Sequence, residues 1–433
     1  MIPPVETPTH RTTSGRQLAL LVVVELLAMS LWFSATAVAP VISQRWELSE
    51  TAAIWLTISV QLGFVAGAFI SAMGNLSERL APPRLMAVCA AAGALANLLI
   101  GVGITNAFGR TTTGFLTALA LRFFTGAMLA GVYPTGMKVM ASWFVRGRGL
   151  AIGTLVGALT IGTALPHLIY ALPFGQSSSA TLGGLEAWRL VMAVASAAAC
   201  LAAATSWLFI RTGPNLPAAT RFDFGYFLRV WQEPALRRAN FGYLGHMFEL
   251  YAMWTWAPRL LLASYDQAGW STSAARLAGF ATVAIGFVGS VLAGYVADRA
   301  GRCRTTIVSL ALSGACALLA GSLFHHPLWL TLICLVWGLS VVADSAQFSA
   351  AVSELCDPKF VGTALTIQTC VGFLLTTLTI RAVPEVQRLT ADATNPGWTW
   401  ALAMLAAGPV FGIYHMARLR HMPIAQKMAS GNR

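Results

Sequence analysis

ELLAMSLW occupies residues 25–32, and ELYAMWTW occupies residues 249–256. Five of the eight positions carry the same residue, and each copy opens with a glutamate inside a long apolar run. Glu, Ala, Met and Trp recur at relative positions 0, 3, 4 and 7, which puts them on one face of an α-helix. An acid is costly in an apolar segment. A chain that places one there twice, 224 residues apart, reads as two related halves.

The rest of the sequence says what medium surrounds those helices. Of 433 residues, 57% are hydrophobic and 10% charged, and the mean hydropathy is +0.68. Soluble domains carry about 25% charged residues, so this chain cannot cover a water-facing surface. A helix needs ~20 apolar residues to cross a bilayer. Twelve such segments fall near 17–42, 51–73, 84–105, 115–142, 148–172, 186–211, 238–264, 273–297, 303–325, 327–353, 360–384 and 397–419. The alternation of barrel strands is absent. The fold class is an all-α polytopic membrane protein with twelve transmembrane helices in two six-helix bundles.

The expected division is a cytoplasmic tail (1–16), a first bundle (17–211), a cytoplasmic linker (212–237), a second bundle (238–419) and a second cytoplasmic tail (420–433). Within the linker, FDFGYFLRVW at 222–231 predicts a short interfacial helix. The formal charge is +12, from 28 basic and 16 acidic residues. With both termini inside, nineteen of the basic residues fall in cytoplasmic segments and six outside, leaving Arg122, Lys138 and Arg189 within spans. That asymmetry follows the positive-inside rule. It accounts for the charge without a nucleic-acid partner and suggests a bacterial inner membrane. The lipid bilayer is the expected partner, and the expected functional unit is a monomer.

Ala37-Val38-Ala39 imitates a signal-peptide cleavage site, but the apolar run before it is too long and contains Glu25, so it reads as a retained helix. The seven cysteines form no CxxC pair and no zinc spacing, and no metal or cofactor is expected.

A second repeat reinforces the first. Gly74-Asn75-Leu76-Ser77-Glu78-Arg79 and Gly294-Tyr295-Val296-Ala297-Asp298-Arg299 both follow the second helix of a half, 220 residues apart. Parallel repeats of this kind mark secondary transporters, whose substrate sites lie at the repeat interface near the midplane. GYVADRAGRCR, 294–304, resembles the loop signature of the major facilitator superfamily, G-x-x-x-D-R-x-G-R-[RK], and the resemblance spans the chain. The first copy departs from it, with Glu78 in place of the usual Asp and Pro82-Pro83 where Gly-Arg is expected. The resemblance implies that Gly74, Glu78, Arg79, Gly294, Asp298, Arg299, Gly301 and Arg302 form gating loops that stabilise the state closed to the cytoplasm. The alternative is that the basic residues only anchor topology.

Leu121-Arg122-Phe123-Phe124-Thr125-Gly126 matches the superfamily's R-x-x-x-G pattern in helix four. An arginine inside a span costs roughly 2.5–3.5 kcal/mol on insertion scales and needs an acidic, carbonyl or substrate partner. In many proton-coupled relatives an acid of the first helix fills that role, and Glu25 is the candidate here. Glycines at 149, 153 and 157 in helix five, and Gly63, Gly67 and Ser71 in helix two, repeat every fourth residue. In this superfamily helices two, five, eight and eleven separate the halves, so these stripes fit either a sliding contact or ordinary tight packing. The G-P-x-x-G-G ending of drug antiporters is missing from helix five.

Intramembrane ionisable residues face a bundle interior or a wet cavity. Glu25, Arg122, Glu249 and Asp344 are therefore the candidates for proton coupling or substrate binding. Desolvation favours the neutral form of a buried carboxyl group, and a nearby cation favours the charged form. That opposition lets a proton move with, or against, a substrate. The alternative is a static buried pair. Met29, Trp32, Tyr133, His246, Tyr251, Met253, Trp256 and Gln347 are the expected cavity lining, in competition with lipid-facing filler.

The function these readings imply is secondary active transport of a small solute by alternating access. Proton coupling, as a symport, is expected, with sodium as the alternative ion. Uptake of a small organic or inorganic anion is the leading reading, and proton-driven efflux of a drug-like compound is the alternative. The other classes are a membrane enzyme, for which no catalytic motif is found, and a substrate sensor.

Overall fold

Hydrocarbon cannot satisfy backbone N–H and C=O groups, so a chain this apolar is confined to helices or a closed barrel. The computed structural model describes residues 8–144, 148–172, 181–182, 185–216, 222–392 and 396–432. Helix one runs over Pro8–Met29, breaks at 30–33 and resumes as Ser34–Ala37 and Ala39–Trp46. Helices two to six span Glu50–Met73, Pro82–Gly103, Thr112–Trp143, Arg148–Ala171 and Ala187–Phe209. Helix seven is a single 34-residue element, Pro234–Gln267. Helices eight to twelve span Thr272–Ala300, Arg302–Leu323, Pro327–Leu355, Pro358–Thr390 and Trp398–Arg420.

Ten of these twelve are long and apolar enough to cross a membrane by length and composition alone. The other two are the helices that carry the opening motif. Helix one is broken, and helix seven carries Arg237, Arg238, Glu249, Arg259 and Asp266 along its length. Helix one begins at Pro8 and helix seven at Pro234, so helical structure extends into the segments expected as tail and linker. Proline suits a first helical turn, where its missing N–H leaves nothing unpaired. The linker helix forms over Phe224–Gln232, with Tyr226 and Val230 buried and Leu228 exposed. A two-stranded hairpin, Thr181–Leu182 against Leu185–Glu186, precedes helix six.

Several helices break where the site lies. Helix four is interrupted at 130–132 before Pro134, whose ring removes a backbone donor. Helix ten is interrupted at 342–344 and helix eight at Ile285.

The halves meet where helix five packs along helix eight and helix two along helix eleven. A Cβ on Gly153 would lie 2.6 Å from the Ser290 carbonyl, so the helix five stripe serves the contact between halves. The helix two stripe does not. A Cβ on Gly63 or Gly67 would strike the backbone of Phe123 or Ala127 in helix four, within the same half. Two sequence stripes with one spacing thus do different work, and for helix two the reading of ordinary tight packing holds. At the centre of the seam the rings of Trp32, Phe64, Tyr251 and Phe373 pack with centroids 4.6–5.6 Å apart. At the end opposite the termini, Arg276 of helix eight donates to the Tyr170 carbonyl of helix five and lies 3.7 Å from its ring centroid.

Candidate functional site

A cavity of about 30 Å³ lies between the halves, lined by Tyr133, Tyr243, Tyr251, Trp254, Phe373 and neighbouring aliphatic side chains. It has room for about two waters. Helix seven contributes Tyr243, Met247, Leu250, Tyr251 and Trp254. These positions follow the helical period and define its cavity face. His246, Glu249, Met253 and Trp256 lie on an adjacent face, so the face shared by Glu, Met and Trp is not the one turned to the cavity.

Each glutamate points instead into its own half. Glu249 accepts from Trp337 Nε1 of helix ten (2.6 Å) and from Ser313 Oγ of helix nine (2.8 Å). Glu25 lies in the matching place, against Gly136 of helix four and Met86 of helix three. It is fully buried, and among the described residues neither carboxyl oxygen has a hydrogen-bond partner. A charge at Glu25 would be uncompensated, and at Glu249 it would be spread over two donors.

Arg122 does not pair with Glu25. Its guanidinium caps the break in helix one: Nη2 donates to the Trp32 carbonyl (2.5 Å), and Nη1 to the Leu31 carbonyl (3.0 Å) and to Ser34 Oγ (3.2 Å). Nε donates to the Leu56 carbonyl of helix two (3.1 Å). The unwound turn frees carbonyls that hydrocarbon cannot satisfy, and a fully buried guanidinium supplies several donors in one plane. Leu31 lies six residues beyond Glu25, about 9 Å along the axis at 1.5 Å per residue.

In the second half the break in helix ten carries an acid. Asp344 Oδ1 approaches His246 Nδ1 to 2.9 Å, with both side chains buried. The atoms are close, but their alignment falls short of a hydrogen bond. The pair sits one layer behind the cavity wall, to which Tyr243, Val342 and Ser345 belong.

The remaining sequence candidates disperse. Trp32 joins the central aromatic cluster, with its Nε1 unpartnered among the described residues. Trp256 turns away and donates to the Ile380 carbonyl of helix eleven (3.0 Å). Met29 packs against Gly162 of helix five, and Met253 is fully buried off the cavity face of helix seven. Gln347 accepts from Arg302 Nη1 (2.8 Å), which draws it toward the loop between helices eight and nine rather than the cavity.

That loop is fully built in the second half. Gly301 takes φ +92°, a conformation that a side chain rarely tolerates, and starts helix nine at once. Arg302 grips Glu354 with two hydrogen bonds (2.6 and 2.7 Å) and lies 3.8 Å from Asp298. The Asp298 carboxylate lies against Gly149 in the first turn of helix five, where a Cβ would come within 2.6 Å of both oxygens. A Cβ on Gly294 would come within 2.6 Å of the Gly149 carbonyl. Arg299 lies over Tyr295. In the first half Gly74 ends helix two and Arg79 ends a short helix, Leu76–Arg79. The Glu78 side chain lies outside the described residues.

Sequence reasoning missed the residues that complete these clusters. Asn97 of helix three accepts from Ser34 (2.7 Å) and Arg122 (3.4 Å) and donates to Met192 and Ser196 of helix six. Trp337, Ser313 and Glu354 belong to the same class, since nothing beside them in the sequence marks them. Gln61 of helix two and Gln368 of helix eleven are buried, and their amides find no partner among the described residues. A polar residue deep inside a span was the available signal for both.

Two like helical halves meeting at a seam around a small central cavity, with carboxyl groups buried inside each half, have the architecture of a polytopic membrane transporter. The Major Facilitator Superfamily pattern matches residues 20–379, and the chain belongs to that family. It is 25% identical over 361 residues to a gallate transporter of Pseudomonas putida, covering 74% of this chain and 76% of that one. It is also 25% identical over 227 residues to the uncharacterized transporter YgaY of Escherichia coli, covering 51% of this chain and 50% of that one. Among solved structures, the proton:xylose symporter XylE bound to 6-bromo-6-deoxy-D-glucose superposes with TM-score 0.70 at 14% identity, covering 94% and 96% of the two chains. A bacterial homologue of the human lysosomal transporter Spinster, inward-facing and unoccupied, superposes with TM-score 0.63 at 16% identity, covering 98% and 99%. These structural likenesses establish the fold. The chain is not an enzyme.

Proposed function

We propose that this transporter takes up a small organic anion bearing an aromatic ring, together with protons, by alternating access across a bacterial inner membrane, with both termini in the cytoplasm. The observation that carries the reading is the centre of the seam. Five aromatic side chains ring the cavity, and the Nε1 groups of Trp254, in its wall, and of Trp32, packed against Tyr251 and Phe373 of that wall, have no acceptors among the described residues. Planar rings suit stacking, and indole N–H groups suit an anion or hydroxyl acceptor. Orphaned buried donors call for an explanation, and a ligand of the open state supplies one. Small-molecule pockets measure roughly 300–1,000 Å³, so substrate enters only once the halves separate.

Basic side chains support an anion. Arg259 lies over the Trp256 ring, with its Nε unpartnered among the described residues, and Arg276 sits at the same end of the seam. Likeness to a gallate transporter supports an aromatic carboxylate as the first class to test. Protons are the favoured coupling ion because Glu25 and the His246–Asp344 pair are buried ionisable sites without strong cation-ligand geometry. Each can exchange a proton as the seam opens, and the transporter acts as a monomer.

The test is uptake of labelled gallate and simpler benzoates into proteoliposomes. A gradient with an alkaline lumen is expected to drive accumulation that collapses with a protonophore. Accumulation driven only by sodium, or export in place of uptake, would overturn the assignment of ion or direction. No transport of any aromatic carboxylate would overturn the substrate class.

A further inference from the structure

The segment Pro423–Gly431 folds back onto the end of the bundle that carries the gating loop, with Ala425 and Met428 fully buried. Its Ala429 N–H donates to Glu354 Oε2 (3.1 Å), the same oxygen that accepts from Arg302 Nε. Asn432 Nδ2 donates to the Asp298 carbonyl (3.3 Å). The segment is therefore tied to the Glu354 carboxylate, and Asn432 directly after it to the Asp298 backbone.

Between this segment, the turn joining helices eight and nine, and the end of helix twelve lies a concavity of about 480 Å³. Arg299, Arg304, Arg420 and His421 line it, and Gly431 at the end of the segment and Asn432 after it supply the remaining wall. No carboxylate is among its described lining residues. The nearby acids are engaged elsewhere, Glu354 by Arg302 and Asp298 against helix five and Arg302. Three guanidinium groups facing one space repel one another until an anion joins them. Their planar forks match the oxygens of a phosphate.

We propose that this concavity binds a phosphate-bearing anion and that the bound group ties segment 423–431 to the gating loop. The surroundings favour an acidic phospholipid headgroup as the source. Helix eight presents exposed Leu292, Tyr295 and Val296 beside it, and Arg299 lies 3.5 Å from the Tyr295 ring centroid. Apolar surface leads from the hydrocarbon to the arginines, the arrangement by which basic pockets hold lipid headgroups. A free phosphate in the cytoplasm is the other source of the same chemistry.

Native mass spectrometry of the purified full-length chain with phosphatidylglycerol or phosphatidylcholine, beside thermal unfolding with inorganic phosphate, tests this. Preferential retention of phosphatidylglycerol is expected, reduced about tenfold or more in the Arg304→Gln/Arg420→Gln double variant. If free phosphate is the occupant, phosphate raises the Tm of the wild type but not of the variant, and the lipids are retained equally. Arg304 is exposed, so the single Arg304→Gln variant gives the same reading if the double variant fails to fold. Equal retention of both lipids in wild type and variant, with no phosphate-dependent shift, would overturn the site.

Discussion

The two halves begin from the same helix motif and finish with different chemistry. In the first half the glutamate stands alone, and the charged group at the helix break is an arginine that satisfies carbonyls. In the second half the glutamate holds two donors, and the break carries an acid beside a histidine. The repeated loop after the second helix of each half follows the same division, with the Arg302–Glu354 grip built only around the second copy among the described residues. A repeat therefore preserves helix placement more faithfully than it preserves what each polar side chain does. Arg122 is committed to backbone carbonyls, while the Glu25 carboxyl group and the facing atoms of His246 and Asp344 hold no hydrogen bond among the described residues, and it is to these groups that we assign proton exchange.

Four substitutions can break or sharpen this contrast. The largest effect is expected from Arg122→Met, which leaves the carbonyls of Leu31, Trp32 and Leu56 without their donor. A loss of about 3 kcal/mol or more in thermal stability is expected. A stable variant that failed only in transport would move Arg122 from structure to binding.

Next come the paired glutamates. Glu249→Gln replaces one acceptor with an amide donor facing Trp337 or Ser313, and about 1–2 kcal/mol of destabilisation is expected. Glu25→Gln removes no hydrogen bond and is expected to stay within about 0.5 kcal/mol of the wild type. Equal losses in thermal unfolding would show that the two sites are alike after all.

A small effect is also expected at the far end of the first half. Burial tends to raise the Glu186 carboxyl, but hydrogen bonds from Asn106, Trp188 and Arg189 and the charge of Arg45 outweigh it and hold the group below its ordinary value of 4.5. Its stabilisation is thus present above that value and fades as pH falls through the lowered one. Glu186→Gln is expected to cost about 0.5–1 kcal/mol at neutral pH. The difference from wild type should shrink on acidification below about 4.5. A difference that held constant down to pH 3 would show that these partners do not stabilise the Glu186 carboxylate.

The reach of the sequence follows from what kind of signal each feature leaves. Twelve spans and two halves were legible because hydropathy and repeat spacing are carried by many residues at once. The face shared by Glu249, Met253 and Trp256 was legible too, but not its direction. Both that face and the neighbouring one, Tyr243 to Trp254, are apolar and aromatic, so composition does not tell the cavity from the interior of the half. The break in helix one was hidden, since Leu31-Trp32-Phe33 contains no glycine or proline. Its only trace was Arg122, ninety residues away, which reads equally as an ion-pair partner until the carbonyls are in view. Asn97, Ser313 and Trp337 are ordinary residues whose importance arises from what the fold brings to them.

The most direct measurement compares gradient-driven uptake with substrate exchange in proteoliposomes carrying wild type, Glu25→Gln or Asp344→Asn. Exchange of labelled for unlabelled aromatic carboxylate needs the seam to open and close but no net proton movement. Both variants are expected to keep exchange while losing accumulation driven by a pH gradient. Accumulation at the wild-type level in both variants would contradict proton coupling through these carboxyl groups.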